Sequence, residues 1–286
     1  MAITVSSLHI HPIKSLGGFS VNEARITPRG FEHDRRWMLV DGDGVFITQR
    51  ELPLMAMLHC SSGSNGFRVS DTRDDAYIDL PWEIEEGERR RAWIWRDEIE
   101  VVHAPVEVSA WFADRLGITC SLVHMPETTH RPINPTYAKG ITALNDGYPY
   151  MILSQASLDD LNARINGSIS RSADQPMQSG TLADRPIDQL ADLGMDRFRP
   201  SIVIAGGEAY QEDGWKEIAI GEAKFSLVKP SLRCAITTTD QRTGERGKEP
   251  LRMLATYRRI GNDVKFGMNA VAVNGEVVRV GDPLHW

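Results

Sequence analysis

The chain has 286 residues, of which 41% are hydrophobic and 25% charged, with a formal net charge of −7. That is the make-up of a globular protein able to bury one large core or two ordinary ones. The acidic balance excludes general nucleic-acid binding, which needs a basic face against phosphate, and no run approaches the roughly 18 apolar residues of a membrane-spanning helix. Residues 1 to 16, MAITVSSLHIHPIKSL, lack a basic segment followed by an apolar one, so the expected compartment is the cytoplasm. Cys60, Cys120 and Cys234 are far apart and odd in number, against a disulfide framework or a zinc finger.

Residues 3 to 10, ITVSSLHI, read as a first strand running into Pro12, with Gly17 and Gly18 marking a turn that leaves Lys14 and Ser15 just past the strand end. Trp37 to Val40 and Val45 to Thr48 flank Asp-Gly-Asp-Gly, a hairpin signal that puts Arg35 and Arg36 at a strand entry. An apolar stretch at 52–58, then FRVS and the Trp93–Trp95 segment, continue a series of short strands. The charge-dense EIEEGERRR reads as a solvated loop or edge, VSAWFADRLGI as a short amphipathic helix, and SLVHM as a strand. The Pro- and Thr-rich stretch MPETTHRPINPTYAKGIT reads as a linker, dividing the chain into 1–128 and 129–286.

Beyond it, YPYMILS leads into QASLDDLNARI, a helix by its Leu158, Leu161, Ile165 spacing, with Ser157 and Asp160 in a capping-box pattern. Asn166 to Gln189 has little periodicity and fits either a disordered insertion or a mobile lid. Strands are expected at Ile202–Ala205, WKEIAIG and KFSLV, a helix at 249–259, and a hairpin around Asn274-Gly275. Many short strands without regular βα alternation imply a mixed α+β, mainly β architecture.

The stretch Lys229 to Arg246, KPSLRCAITTTDQRTGER, concentrates chemistry. Cys234 stands beside Arg233, and the β-branched Ile236–Thr239 reads as a strand ending at Asp240. A thiol next to a guanidinium suits either a nucleophile or a ligand for a thiophilic metal, and free Cys also serves as a small buried hydrophobe. Lys14 with Ser15, Arg35, Arg199 and Arg233 each put a cation or hydroxyl at a strand edge. Brought together they would form an anion pocket beside the thiol. His9 and His11 share a face, yet no third metal ligand accompanies them.

On the segments HPIKSL, GFEHDRRWMLVD, FITQRELPLM, LSQASLDDLN, FRPSIVI, WKEIAIG, RCAITTTDQRTG and VGDPL, the chain resembles the MOSC family, the molybdenum cofactor sulfurase C-terminal domain proteins with their N-terminal β-barrel-like domain. Within that family the likeness is to the amidoxime reducing components and their bacterial counterparts. The resemblance implies a MOSC β-barrel, a smaller N-terminal β-barrel-like domain and a molybdenum cofactor site between them. Cys234 would hold the metal, Lys14, Ser15, Arg35, Ser154, Arg199, Ser201 and Arg233 would surround the pterin and its phosphate, and Asp240 would lie near the metal as a proton donor or acceptor. The implied activity is reduction of N-hydroxylated compounds (amidoximes, hydroxylamines, N-hydroxylated bases). Because the chain has no Cys cluster for an iron-sulfur centre, the electrons are expected from a separate ferredoxin-like, cytochrome b5-like or flavin reductase protein. The same family leaves two alternatives: a persulfide carrier for cofactor maturation, and a non-catalytic cofactor-binding module. Ser201 and Leu232 depart from residues that relatives often carry.

Overall fold

The computed structural model describes residues 2–173 and 192–286, with the side chains of 168–173 left aside. The architecture is mainly β, with three α-helices among the described residues: α1 (Val106–Leu116), α2 (Gln155–Ala173) and α3 (Leu251–Tyr257). No described helix is long and apolar enough to cross a membrane.

The largest sheet runs in the order Phe19–Val21, Thr4–Ile10, Ile202–Ala205, Tyr150–Ser154, Asp263–Asn274, Ala223–Arg233, Glu217–Ile220, Leu284–His285. Its pairings are antiparallel except for that of Tyr150–Ser154 with Ile202–Ala205. The sheet closes on itself. Thr4 bridges Pro283, Gly281 N donates to Val5 O at 2.8 Å, and Leu284 N donates to Ile3 O at 2.9 Å. Closure removes the open edge that a strand such as Thr4–Ile10 would otherwise present. That first strand, in sequence part of 1–128, is therefore built into the barrel of the second half.

The period of two along a strand explains the unbroken apolar run YMILS, all five of whose residues are buried. Tyr150 and Ile152 face the barrel interior with Leu8, Ile202, Ile218, Phe225 and Met268. Met151 and Leu153 face outward, against Leu158, Leu161 and Ile165 of α2 and Leu254 of α3. One strand thus joins two cores.

In the first half, Trp37–Val40, Ser121–His124, Asp97–His103 and Arg89–Ile94 form a four-stranded sheet, and Leu58–Ser62, Gly66–Asp71 and Tyr77–Pro81 a three-stranded one. Helix α1 ends at Gly117, whose φ of 66° suits the left-handed cap a glycine adopts without strain. Cys60 and Cys120 belong to a core with Ile13, Leu16, Trp37 and Phe112. Burial pushes their thiols up, to about 12 and about 11, so both behave as small hydrophobes.

Three local expectations are corrected. Ile236–Thr239 is not a strand: Ala235–Thr238 forms a 3-10 turn, because the Thr237 and Thr238 hydroxyls donate back to Cys234 O and Ala235 O at 2.9 and 2.8 Å. Local hydroxyl-to-backbone bonds win over β propensity there. Ser157 does not cap α2; it lies inside the helix and donates to Glu212 Oε1 at 2.8 Å. The Asn274-Gly275 turn does not make a hairpin, since Asp263–Asn274 pairs with Ala223–Arg233 while Val277–Arg279 crosses to pair with Glu23–Thr27. Asn166 to Gln189 begins inside α2, and the rest of that stretch, from 174, lies outside the described residues.

Candidate functional site

Segments from both halves of the chain meet around a cavity of about 270 Å³. Lys14, Ser15 and Arg35 come from the first half, and Asn145–Tyr148 from the loop before Tyr150–Ser154. Phe198, Arg199 and Ser201 precede Ile202–Ala205, and Lys229 to Cys234 end the strand Ala223–Arg233. The thiol therefore lies just past the end of the strand before it, at the residue that caps the 3-10 turn Ala235–Thr238, and is partly exposed to the cavity. Ser15, Arg35 and Arg199 have left-handed backbones, with φ of 71°, 51° and 54°. Non-glycine residues tolerate that conformation only where the surroundings hold them, and such strain gathers at functional sites.

The cavity is rich in desolvated cations. Arg199 is half-buried; its Nη1 donates to Leu16 O, while Nη2 is buried without a partner. Burial, with the charge of Arg35 adding to it, pushes this guanidinium down to about 9. Arg35 donates to Asp34 Oδ2 at 2.6 Å and to Arg199 O at 2.9 Å, bracing the loop that carries Arg199. Arg233 donates to Ser231 Oγ and Phe198 O, both at 2.7 Å, and leaves Nε buried and unpaired; burial pushes it down to about 10. Lys14 Nζ donates to Leu144 O at 2.9 Å and to Asp146 Oδ1 at 2.5 Å, and burial still pushes it down to about 8. The Tyr148 hydroxyl, also at the cavity, is buried without a partner, and desolvation holds its proton more firmly than usual. Unpaired buried donors of this kind are costly and call for an acceptor.

Of the residues singled out in the sequence, Lys14, Ser15, Arg35, Arg199, Ser201, Arg233 and Cys234 all line this cavity. Ser154 and Asp240 do not. Ser154 ends its strand with its amide on Glu212 Oε1 at 3.3 Å and its hydroxyl buried at the start of α2. Asp240 accepts from Arg197 Nη2 and from the Arg242 amide, each at 2.8 Å. Partial burial works to raise its carboxyl, but the Arg242 amide and the two guanidinia prevail and hold it below the usual range. A carboxyl so held is a poor proton donor, and it stands away from the cavity wall. His9 and His11 flank a separate small cavity with His59, and no metal-holding cluster of His, Cys, Asp and Glu occurs among the described residues.

Two site residues escaped the sequence reading. Arg50 Nε donates to Cys234 Sγ at 3.2 Å, and Arg50 Nη2 donates to Asp146 Oδ2 at 2.6 Å. Asp146 is half exposed at the cavity and bridges Lys14 and Arg50; loss of hydration beside them works to raise its carboxyl, but the two cations prevail and hold it well below the usual range. The Asp-Gly turn signal ahead of an apolar strand was the available clue to Asp146. Arg50 carried none of its own, standing beside Glu51 in FITQRELPLM.

The site lies where two known domains meet. Residues 2–119 match the MOSC N-terminal beta barrel domain and residues 140–285 the MOSC domain. The chain is 30% identical to mitochondrial amidoxime-reducing component 1 of Mus musculus and 29% to that of Homo sapiens, in each case over 99% of this chain and 82% of the relative. It is 29% identical to the molybdenum cofactor sulfurase of Oryza sativa subsp. japonica over 93% of this chain but 32% of the relative. The chain thus spans about a third of the length of that sulfurase. The chain belongs to the MOSC family, as a MOSC domain preceded by the MOSC N-terminal beta barrel domain.

Proposed function

We propose that the chain is a molybdenum-cofactor-dependent reductase of N-hydroxylated compounds, supplied with electrons by a separate donor protein. The observation that carries it is one cavity in which a partly exposed thiol, Cys234, is ringed by buried cations with unpaired N–H groups. The residues suit a phosphate-bearing group that also takes a thiolate ligand. Arg199 Nη2 and Arg233 Nε are orphaned donors of the kind a phosphate or pterin acceptor satisfies. Lys14, Ser15, Arg35 and Ser201 would complete the cradle, and Cys234 would supply the protein's bond to the metal.

When bound, the cofactor supplies the two-electron chemistry that removes oxygen from nitrogen. In overall balance the N–O bond breaks, two electrons and two protons enter, and an amidoxime leaves as amidine plus water. The protein binds and orients. Arg199 and Arg233 neutralise negative charge in the cavity, and the Tyr148 hydroxyl, which keeps its proton, offers an O–H donor to an acceptor there.

A second reading, sulfur carriage as a persulfide on Cys234, is favoured by the likeness of 93% of the chain to part of a molybdenum cofactor sulfurase. Protein made with molybdate in a host that assembles the cofactor should contain molybdenum and pterin near one per chain and reduce an aromatic amidoxime when a donor system is added. Cys234→Ala should abolish turnover. Bound cofactor with no turnover under any donor would leave a binding module, and a persulfide on Cys234 after treatment with a cysteine desulfurase, in protein free of molybdenum, would favour the carrier.

A further inference from the structure

We propose that Arg50 is the positioning residue for the Cys234 sulfur, with Asp146 and Trp95 holding its guanidinium for that task. This rests on the reading of Cys234 as the reacting atom, and it holds for metal ligation and persulfide carriage alike.

The arginine is constrained on three sides. Its Nε–H points at Cys234 Sγ at 3.2 Å, its Nη2 donates to Asp146 Oδ2 at 2.6 Å, and its flat face lies 4.5 Å from the centroid of Trp95. Trp95 is itself fixed, on a left-handed backbone of φ 59° and packed edge-on to Phe46 at 4.9 Å. A fork held in this way directs one N–H along a fixed line, which a flexible lysine ammonium cannot do. The remaining terminal nitrogen, Nη1, is buried and without a partner. It leaves a donor for an electron-rich atom next to the sulfur.

A purely structural role would make Arg50 the counter-charge of Asp146. That carboxylate already has one, because Lys14 Nζ stands 2.5 Å from its Oδ1. Asp146 is better described as the brace: one oxygen takes a cation of the anion cavity, and the other fixes the arginine on the thiol. Sequence separation hides the assembly, since Arg50 and Cys234 are 184 positions apart.

Protein made without molybdate provides a test independent of cofactor loading. Cys234 is alkylated in parallel with anionic iodoacetate and neutral iodoacetamide, read on its own peptide by mass spectrometry. The ratio of the two rates cancels the thiolate fraction and reports the charge held at the sulfur. Arg50→Gln should lower that ratio threefold or more, with Cys60 and Cys120 unreactive because they are buried. Should Arg50→Gln not fold, Trp95→Leu, which removes the stacked face and no charge, should lower the ratio in the same direction. In molybdenum-loaded protein, Arg50→Lys should lower metal retention and alter the Mo(V) electron paramagnetic resonance signal while the melting temperature stays near that of the parent. An unchanged alkylation ratio, or a lysine variant with parental metal content and signal, overturns the proposal. If the parent binds no molybdenum the cofactor reading fails, and the ratio alone decides on Arg50.

Discussion

Arg199→Met separates what the cavity does for a ligand from what it does for the fold. The Arg199 side chain is half-buried at the cavity, and its Nη2 is out of contact with solvent and unpaired. As a base whose folded value is pushed down to about 9, it costs stability in full below that pH, and the cost is relieved as pH rises above it. At 1.36 kcal/mol per tenfold, the cost at neutral pH is at most about 5 kcal/mol, and roughly 4 kcal/mol once water in the open cavity screens the charge. Against this stands the Nη1 bond to Leu16 O, a charged hydrogen bond of about 1.5–3 kcal/mol. Methionine fills much of the same space, and a left-handed backbone is no worse for it than for arginine. The ligand-free variant should therefore gain about 1–2 kcal/mol, a rise of a few degrees in melting temperature at pH 7. The assay is a thermal melt of ligand-free protein, paired with calorimetric titration of sulfate, whose binding should weaken at least tenfold. A lower melting temperature with sulfate binding intact would refute the reasoning, since it would mean that Arg199 already has all the partners it needs.

Sulfate affinity in the parent should be level up to about pH 8 and then fall by up to tenfold per pH unit, because Lys14, pushed down to about 8 by burial with Arg131 and Arg50 and against the opposing pull of Asp146, loses its proton there; affinity constant to pH 9.5 would contradict this. Glu212 is buried with Oε2 unpaired and its carboxyl raised by desolvation. It therefore erodes stability as pH rises from the unfolded carboxyl value through the folded one, and melting temperature against pH should be flatter for Glu212→Gln, with a gain near pH 7. Asp240→Asn should cost roughly 1–3 kcal/mol in denaturant unfolding, by uncoupling Arg197, while amidoxime turnover survives; complete loss of turnover in a stable variant would restore a proton role for Asp240.

Features carried by local pattern were legible in the sequence. The helix spacing of Leu158, Leu161 and Ile165, the strands WKEIAIG and KFSLV, and the small and charged residues at strand ends all follow from neighbouring side chains. The convergence of Lys14, Arg35, Arg199 and Arg233 on Cys234 was visible only as a shared kind of position, one cation or hydroxyl per strand edge. Non-local partners were not legible. Ile236–Thr239 has strong β propensity, yet its threonine hydroxyls bond backwards, and Val277–Arg279 leaves its neighbour for a strand some 250 positions earlier. Ser154 and Asp240 stand near the site in sequence, but Glu212 and Arg197 hold them elsewhere. Arg50 shows the reverse, a residue with no distinguishing context that acquires one only through the fold.

The closure of the barrel through Thr4 and Pro283 has a consequence for biosynthesis. Contacts that span almost the whole chain are the slowest to form, because the loop entropy must be paid before any bond rewards it. A ribosome delivers Lys14 and Arg35 early, but the strand that leads to them finds its last neighbour only after residues 281–284 have emerged. The half-made chain leaves the Thr4–Val5 end of that strand without its 281–284 neighbour throughout that interval. On the proposed reading of the cavity as a molybdenum cofactor site, a pulse-labelled nascent chain should acquire no molybdenum before residues 281–284 have emerged.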